Sequence, residues 1–167
     1  MKRRFPLILL LLLACGAIQA QKEYSLASPD GKLTAQVTVG EELTWSLSHD
    51  GTPLIEPSPV SLTLHDGEQL GPDARLRRVR KQRADETITS PFWISSQVRD
   101  QYNELLLTFR GDWGITFRLY DDGLAYRFHT SRKGTLTIAS EEATFRFTGD
   151  RPAWVPYVKG GLGGDQL

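Results

Sequence analysis

The chain has 167 residues, 40% hydrophobic and 24% charged, the proportions of an ordinary globular protein, which exclude disorder, a collagen-like repeat and a polytopic membrane protein. Lys+Arg and Asp+Glu number 20 each, but Lys2, Arg3 and Arg4 fall in the first 20 residues, which hold no acid, so 17 bases face 20 acids in the remainder. That net charge of about −3 excludes a nucleic-acid binder, which needs surplus cations to neutralise phosphates.

Lys2-Arg3-Arg4 is followed by an apolar run from Phe5 to Ala14 and by small residues up to Ala20. This is the charged, apolar and cleavage-site order of a secretory signal, and the run is shorter than the about 20 apolar residues that span a bilayer. Two cleavage points compete. Cutting after Ile18-Gln19-Ala20 leaves a soluble domain over residues 21–167. Leu12-Leu13-Ala14-Cys15-Gly16 instead resembles a bacterial lipobox, in which Cys15 is lipidated and becomes the first residue. Leu13 is unusual at that lipobox position, which favours the soluble form. The expected location is periplasmic or secreted, with an outer-membrane lipoprotein as the alternative, and membrane association only through Cys15. Because Cys15 is the single cysteine, the folded part holds no Cys nucleophile, Cys-ligated zinc or iron–sulfur cluster.

From Tyr24 onward the apolar residues recur with period two. Leu33, Ala35, Val37 and Val39 share one strand face, Leu43, Trp45 and Leu47 the next, and Val60, Leu62 and Leu64 a third. Pro53, Pro57 and Pro59 mark the stretch before Val60 as edge strand or loop. Arg75, Arg77, Arg78, Arg80, Lys81 and Arg83 form a basic run, read as a solvated edge strand whose charges discourage edge-to-edge pairing. Further alternating runs are Leu105, Leu107 and Phe109, then Ile115, Phe117 and Leu119, then Leu124, Tyr126 and Phe128, then Phe145 and Phe147. Asp30-Gly31, Asp50-Gly51, Asp66-Gly67 and Asp122-Gly123 lie between such runs, where Gly accepts the positive φ of a tight hairpin and Asp tolerates it. No segment offers a helix of about ten residues. The expected fold is all-β, an antiparallel sandwich of ten or more short strands. Glycine-rich Lys159–Leu167 ends the chain as a flexible loop that leads elsewhere.

Chemistry-bearing residues are sparse. His49, His65 and His129 are too scattered for a ligand motif and read as turn or surface histidines. No nucleophile elbow, phosphate loop, zinc-protease motif or dinucleotide fingerprint is present. The acid pairs Glu41-Glu42, Asp85-Glu86, Asp121-Asp122 and Glu141-Glu142 cannot both face one sugar from a regular strand, because neighbours point to opposite faces. Asn103-Glu104 opens a strand on this reading, placed to hydrogen-bond a sugar or neighbouring domain or simply to cap the strand end. With Trp45 assigned to the core, Trp93, Trp113 and Trp154 remain as flat rings able to pack on a pyranose. Trp154, among prolines, is the one expected to meet a partner surface.

Four segments in order carry a resemblance. Ser28-Pro29-Asp30-Gly31-Lys32-Leu33, the stretch from Asp85 to Phe109, FRLYDDGLAYRF from Phe117 to Phe128, and ATFRFTGDRPAWVPY from Ala143 to Tyr157 together resemble the N-terminal β-super-sandwich of glycoside hydrolase family 97, over nearly all of the chain after the signal. The resemblance implies an exported bacterial α-glucosidase or α-galactosidase. Its acid, its base or nucleophile, and most ligands of a calcium ion sit on a (β/α)₈ barrel, and this chain contains no barrel sequence. It also implies that the sandwich continues past Leu167, with any calcium-binding acid of the sandwich beyond that point. No catalytic or metal role is therefore assigned to a residue here, and no cofactor is expected in this stretch. The leading expectation is a non-catalytic domain, inactive alone, that supports a barrel active site, with Asn103, Glu104 and Trp154 as the residues to contact carbohydrate or the barrel. The alternatives are a stand-alone exported carbohydrate-binding module and a β-sandwich used only for protein contacts.

Overall fold

The computed structural model describes residues 21–89, 96–150 and 152. Among them every regular element is a strand: β1 (Lys22–Ala27), β2 (Leu33–Val39), β3 (Leu43–His49), β4 (Thr52–Leu64), β5 (Gln69–Leu70), β6 (Leu76–Thr89), β7 (Gln97–Phe109), β8 (Trp113–Leu119), β9 (Leu124–Thr130), β10 (Ile138–Ala143) and β11 (Arg146–Phe147). They form two antiparallel sheets. The first runs β1-β2-β3-β4-β10, with β5 and β11 also on β4, and the second runs β6-β7-β8-β9.

All four Asp-Gly steps connect antiparallel neighbours. At Asp50-Gly51 both residues have positive φ, 47° and 78°, which is the two-residue turn whose twist matches its flanking strands. The period-two residues then fall together. Ala35, Val37, Trp45, Val60, Leu105, Leu107, Phe109, Ile115, Phe117 and Leu119 are all buried in one core cluster between the sheets. Each Val, Leu, Ile or Phe among them stabilises the fold by about 1.5–3 kcal/mol relative to exposure. Trp113, read from sequence as a free ring, is instead 5% exposed and stacked on Phe109 at 4.3 Å between centroids. It begins β8, and its register opposite Phe109 points it inward.

The proline segment also differs from expectation. Pro53, Pro57 and Pro59 lie within β4, an interior strand, paired with β3 on one side and with β10 and β11 on the other. Two register shifts against β3 each place an extra residue on β4, and such bulges are where a residue without an N–H can sit in a sheet. The basic run does form an edge strand, β6, exposed along nearly its whole length. Phe145 and Phe147 depart furthest from the alternation rule. They are 48% and 61% exposed, because β10 and β11 lie at the margin of the first sheet.

Candidate functional site

Two polar areas flank β7, one on each face of the second sheet, because successive residues of a strand point to opposite sides. Asn103 and Glu104 were expected to open a strand. They sit in the middle of β7, which begins six residues earlier at Gln97.

On the face toward the first sheet, Asn103 lies opposite Arg83, and Gln101 opposite Asp85. The Asn103 amide donates to the Ala27 carbonyl at 2.8 Å, and the Lys81 ammonium donates to the Ser25 carbonyl. These bonds tie β1 to the second sheet. Beside them open two adjoining hollows of about 450 and 380 Å³, bordered by Pro29, Arg83, Asp85, Gln101 and Asn103, within the range of small-molecule sites. Asp85 is fixed there. It accepts two parallel bonds from Arg99 Nε and Nη2, each 2.9 Å, and one from Gln101 Nε2 at 3.5 Å. The Arg99 bonds hold its carboxyl below the ordinary range. Amide, guanidinium and carboxylate side by side supply the donors and acceptors that a sugar's hydroxyls need.

On the opposite face Glu104 is only 4% exposed. Arg118 Nε donates to its Oε2 at 2.7 Å, and Gln82 Nε2 donates to Oε1. The Arg118 guanidinium stands 4.1 Å from the centre of the Tyr102 ring, which packs against Tyr120 at 5.4 Å. Hydrogen bonding to Glu104 raises the pKa of Arg118. A carboxylate with both oxygens engaged is a poor proton shuttle, and what Glu104 does is hold Arg118 in place.

The remaining candidates are dispersed. Glu41-Glu42 lies in the β2–β3 turn, and Glu141-Glu142 on exposed β10. Asp121, in the β8–β9 turn, accepts the Asp30 N–H at 2.8 Å, so two turns from different sheets are joined. His49 lies beside Asp50 at 3.6 Å. His129 is half-buried on the outer side of β9, its Nδ1 3.5 Å from Thr116 Oγ1, and burial lowers its pKa. The sequence carried no signal for that, because the space for its ring comes from Gly114 across the strand pair, where a Cβ would meet His129 Nε2 at 2.4 Å. Trp93, Trp154 and Cys15 lie outside the described residues. Among the described residues no three His, Cys, Asp or Glu side chains converge as metal ligands would.

Comparison with known proteins adds the family context. The model of the domain "Glycosyl-hydrolase 97 N-terminal" matches residues 26–164. A retaining alpha-galactosidase of Bacteroides thetaiotaomicron is 40% identical over 163 residues, 98% of this chain but 25% of the relative; the chain thus spans a quarter of that protein's length. Among solved structures, a beta-arabinopyranosidase superposes with a TM-score of 0.66 at 25% identity, covering 75% of this chain and 21% of the other. A glycoside hydrolase family 97 enzyme of Pseudoalteromonas sp. strain K8, in complex with panose, gives 0.63 at 19% identity, covering 71% and 20%.

Proposed function

The chain belongs to glycoside hydrolase family 97, as its N-terminal domain, and from that membership we propose that it is the non-catalytic β-sandwich of an exported α-glycosidase of the α-galactosidase or α-glucosidase type. The observation that carries the reading is the 40% identity to a retaining alpha-galactosidase across 98% of this chain and 25% of that enzyme. Glycoside hydrolysis with retention needs two carboxyl groups about 5–5.5 Å apart, one to protonate the leaving oxygen and one to attack the anomeric carbon. This chain supplies neither in the proposed enzyme. Glu104, the one buried acid among the described residues, has both oxygens committed to Arg118 and Gln82.

The sandwich's part is to cover a flank of the catalytic barrel, hold its loops, and offer sugar hydroxyls the polar hollow at Asp85, Gln101 and Asn103. Trp154 is a further candidate for the barrel or sugar contact. The calcium expected in the complete enzyme finds no fitting ligand set among the described residues, so no step of the chemistry is routed through it here. Export follows from the signal segment, with Gln21 or a lipidated Cys15 as the mature first residue. The intact mass of the protein recovered from the periplasm distinguishes the two.

Assay of the purified chain with 4-nitrophenyl α-galactoside and α-glucoside tests the central point. No nitrophenol above a protein-free blank is expected, and release proportional to chain concentration would overturn the non-catalytic assignment. The polar hollow favours one other reading, a stand-alone module that binds neutral oligosaccharides. Saturable calorimetric titration with maltooligosaccharides or galactosides would support that alternative, and flat titrations would remove it.

A further inference from the structure

The outer face of the second sheet carries more cations than its acids balance. Two rows cross it in register: Arg80, Leu106, Thr116, Arg127, and Gln82, Glu104, Arg118, Ala125. Glu104 is the one acid in these rows, and Arg118 and Gln82 consume it. Arg127 is exposed on edge strand β9 and has no carboxylate partner among the described residues. Beside it Ala125 contributes only a methyl group. The surface sinks there into a hollow of about 180 Å³ lined by Thr116, Arg118, Tyr120, Ala125, Tyr126 and Arg127.

The lining has a definite chemistry. Arg118 is already immobilised by Glu104 and the Tyr102 ring, so holding it against a ligand costs little further entropy. Arg127 adds a charge with no ion-pair partner among the described residues, and Thr116 and Tyr120 add hydroxyl groups. Guanidinium forks match a planar carboxylate, while the Tyr120 ring presents apolar surface beside a polar edge; the Tyr126 ring turns to the core, against Trp45 and Phe117. The volume is below the about 300 Å³ of a pocket for a drug-sized ligand, which suits a single charged sugar unit rather than a long chain lying flat.

We propose that this hollow binds the carboxylate of a uronic acid unit in a saccharide, with Arg127 as the cation that meets it and Arg118 and Thr116 as fixed donors at its side. The saccharide as carrier rests on the family reading above; the preference for a carboxylate rests on the lining alone.

The whole chain, titrated calorimetrically with digalacturonate, with its neutral counterpart galactobiose and with acetate, separates the possibilities. Digalacturonate is expected to bind at least about tenfold more tightly than either of the others, and to weaken as salt rises. Arg127→Ala should lose about tenfold or more, and Arg127→Lys should recover only part, since an ammonium lacks the planar fork. Amide shifts in the magnetic resonance spectrum should centre on Thr116 and Ala125. Arg127→Gln, which keeps a polar, unbranched stem without the charge, serves as a second variant if Arg127→Ala does not fold. Acetate binding as tightly as digalacturonate, equal binding of galactobiose, unchanged affinity without Arg127, or no binding at all would each overturn the proposal. The aryl-glycoside assay is unaffected by any of these results, so the two readings fail separately.

Discussion

Glu104 keeps its place on the solvent side of a sheet while only 4% exposed because Arg118 and Gln82 occupy both of its carboxylate oxygens. Removing it strands a guanidinium of which a third stays accessible. Glu104→Ala should therefore cost about 1–3 kcal/mol, less than the loss of a fully buried partner, as read from urea denaturation. A change within about 0.5 kcal/mol would show that the pair is merely superficial. Asp30 works through a turn. Its Oδ1 accepts from Ser28 Oγ at 2.6 Å and from the Lys32 N–H at 3.0 Å, and these bonds lower its pKa from 3.8 to about 2. A depressed carboxyl contributes stability that is complete above its unfolded value and is lost as pH falls through the folded one. The Tm gap between wild type and Asp30→Asn should thus hold steady down to about pH 4 and close toward about pH 2. A gap that persists unchanged at pH 2 would contradict the assignment. His129 has the same consequence in a higher pH window. Burial lowers its pKa, so the unfolded chain takes up the proton first, and its contribution falls once pH drops below the ordinary value of 6.5.

Strands show where alternation holds and where it gives way. Residues of β2 and of the second half of β7 alternate in burial as they alternate in sequence, because one face of each strand meets the other sheet, whereas interior β8 is buried at nearly every position. At β10 and β11 the inward-facing residues Ile138, Phe145 and Phe147 are 54%, 48% and 61% exposed, since Ile138 and Phe147 pair with the buried Leu64 and Ile55 yet lie at the sheet margin. Phe145 leans on Trp45 at 5.5 Å, and Phe147 stacks on Phe145 at 6.5 Å. Contiguous apolar surface of this kind promotes association. Phe147→Ser should reduce dye binding by the chain and its self-association in sedimentation, while changing stability by no more than about 0.5 kcal/mol, the ordinary range for surface positions. A loss of several kcal/mol would place Phe147 in the core instead. β10 itself, IASEEA, had no legible signal, because a strand exposed at every position needs no apolar period.

Across the whole molecule the two sheets share one core and several ties. Asn103 and Lys81 bond to β1, Asp121 bonds to the turn at Asp30, and Arg132 forms a bidentate pair with Glu68 at 2.6 and 2.7 Å. Neither sheet can bury its apolar face without the other. Denaturation followed by tryptophan fluorescence, to which buried Trp45 and Trp113 contribute, and by far-ultraviolet circular dichroism should give coincident transitions. Separated midpoints would mean that the sheets unfold independently. The sequence alone determined the all-β class, the four Asp-Gly hairpins, most core positions, the β6 edge and the resemblance to the family, because strand period and turn chemistry act between residues close in the chain. Only the tertiary structure decided that Trp113 is core, that the prolines sit inside an interior strand with two bulges, that Asn103 meets β1 while Glu104 meets Arg118, and that Arg118 and Arg127 flank a hollow over Ala125. Each of these depends on which strand lies alongside and in what register, and pairing partners distant in the chain leave no local periodicity to read.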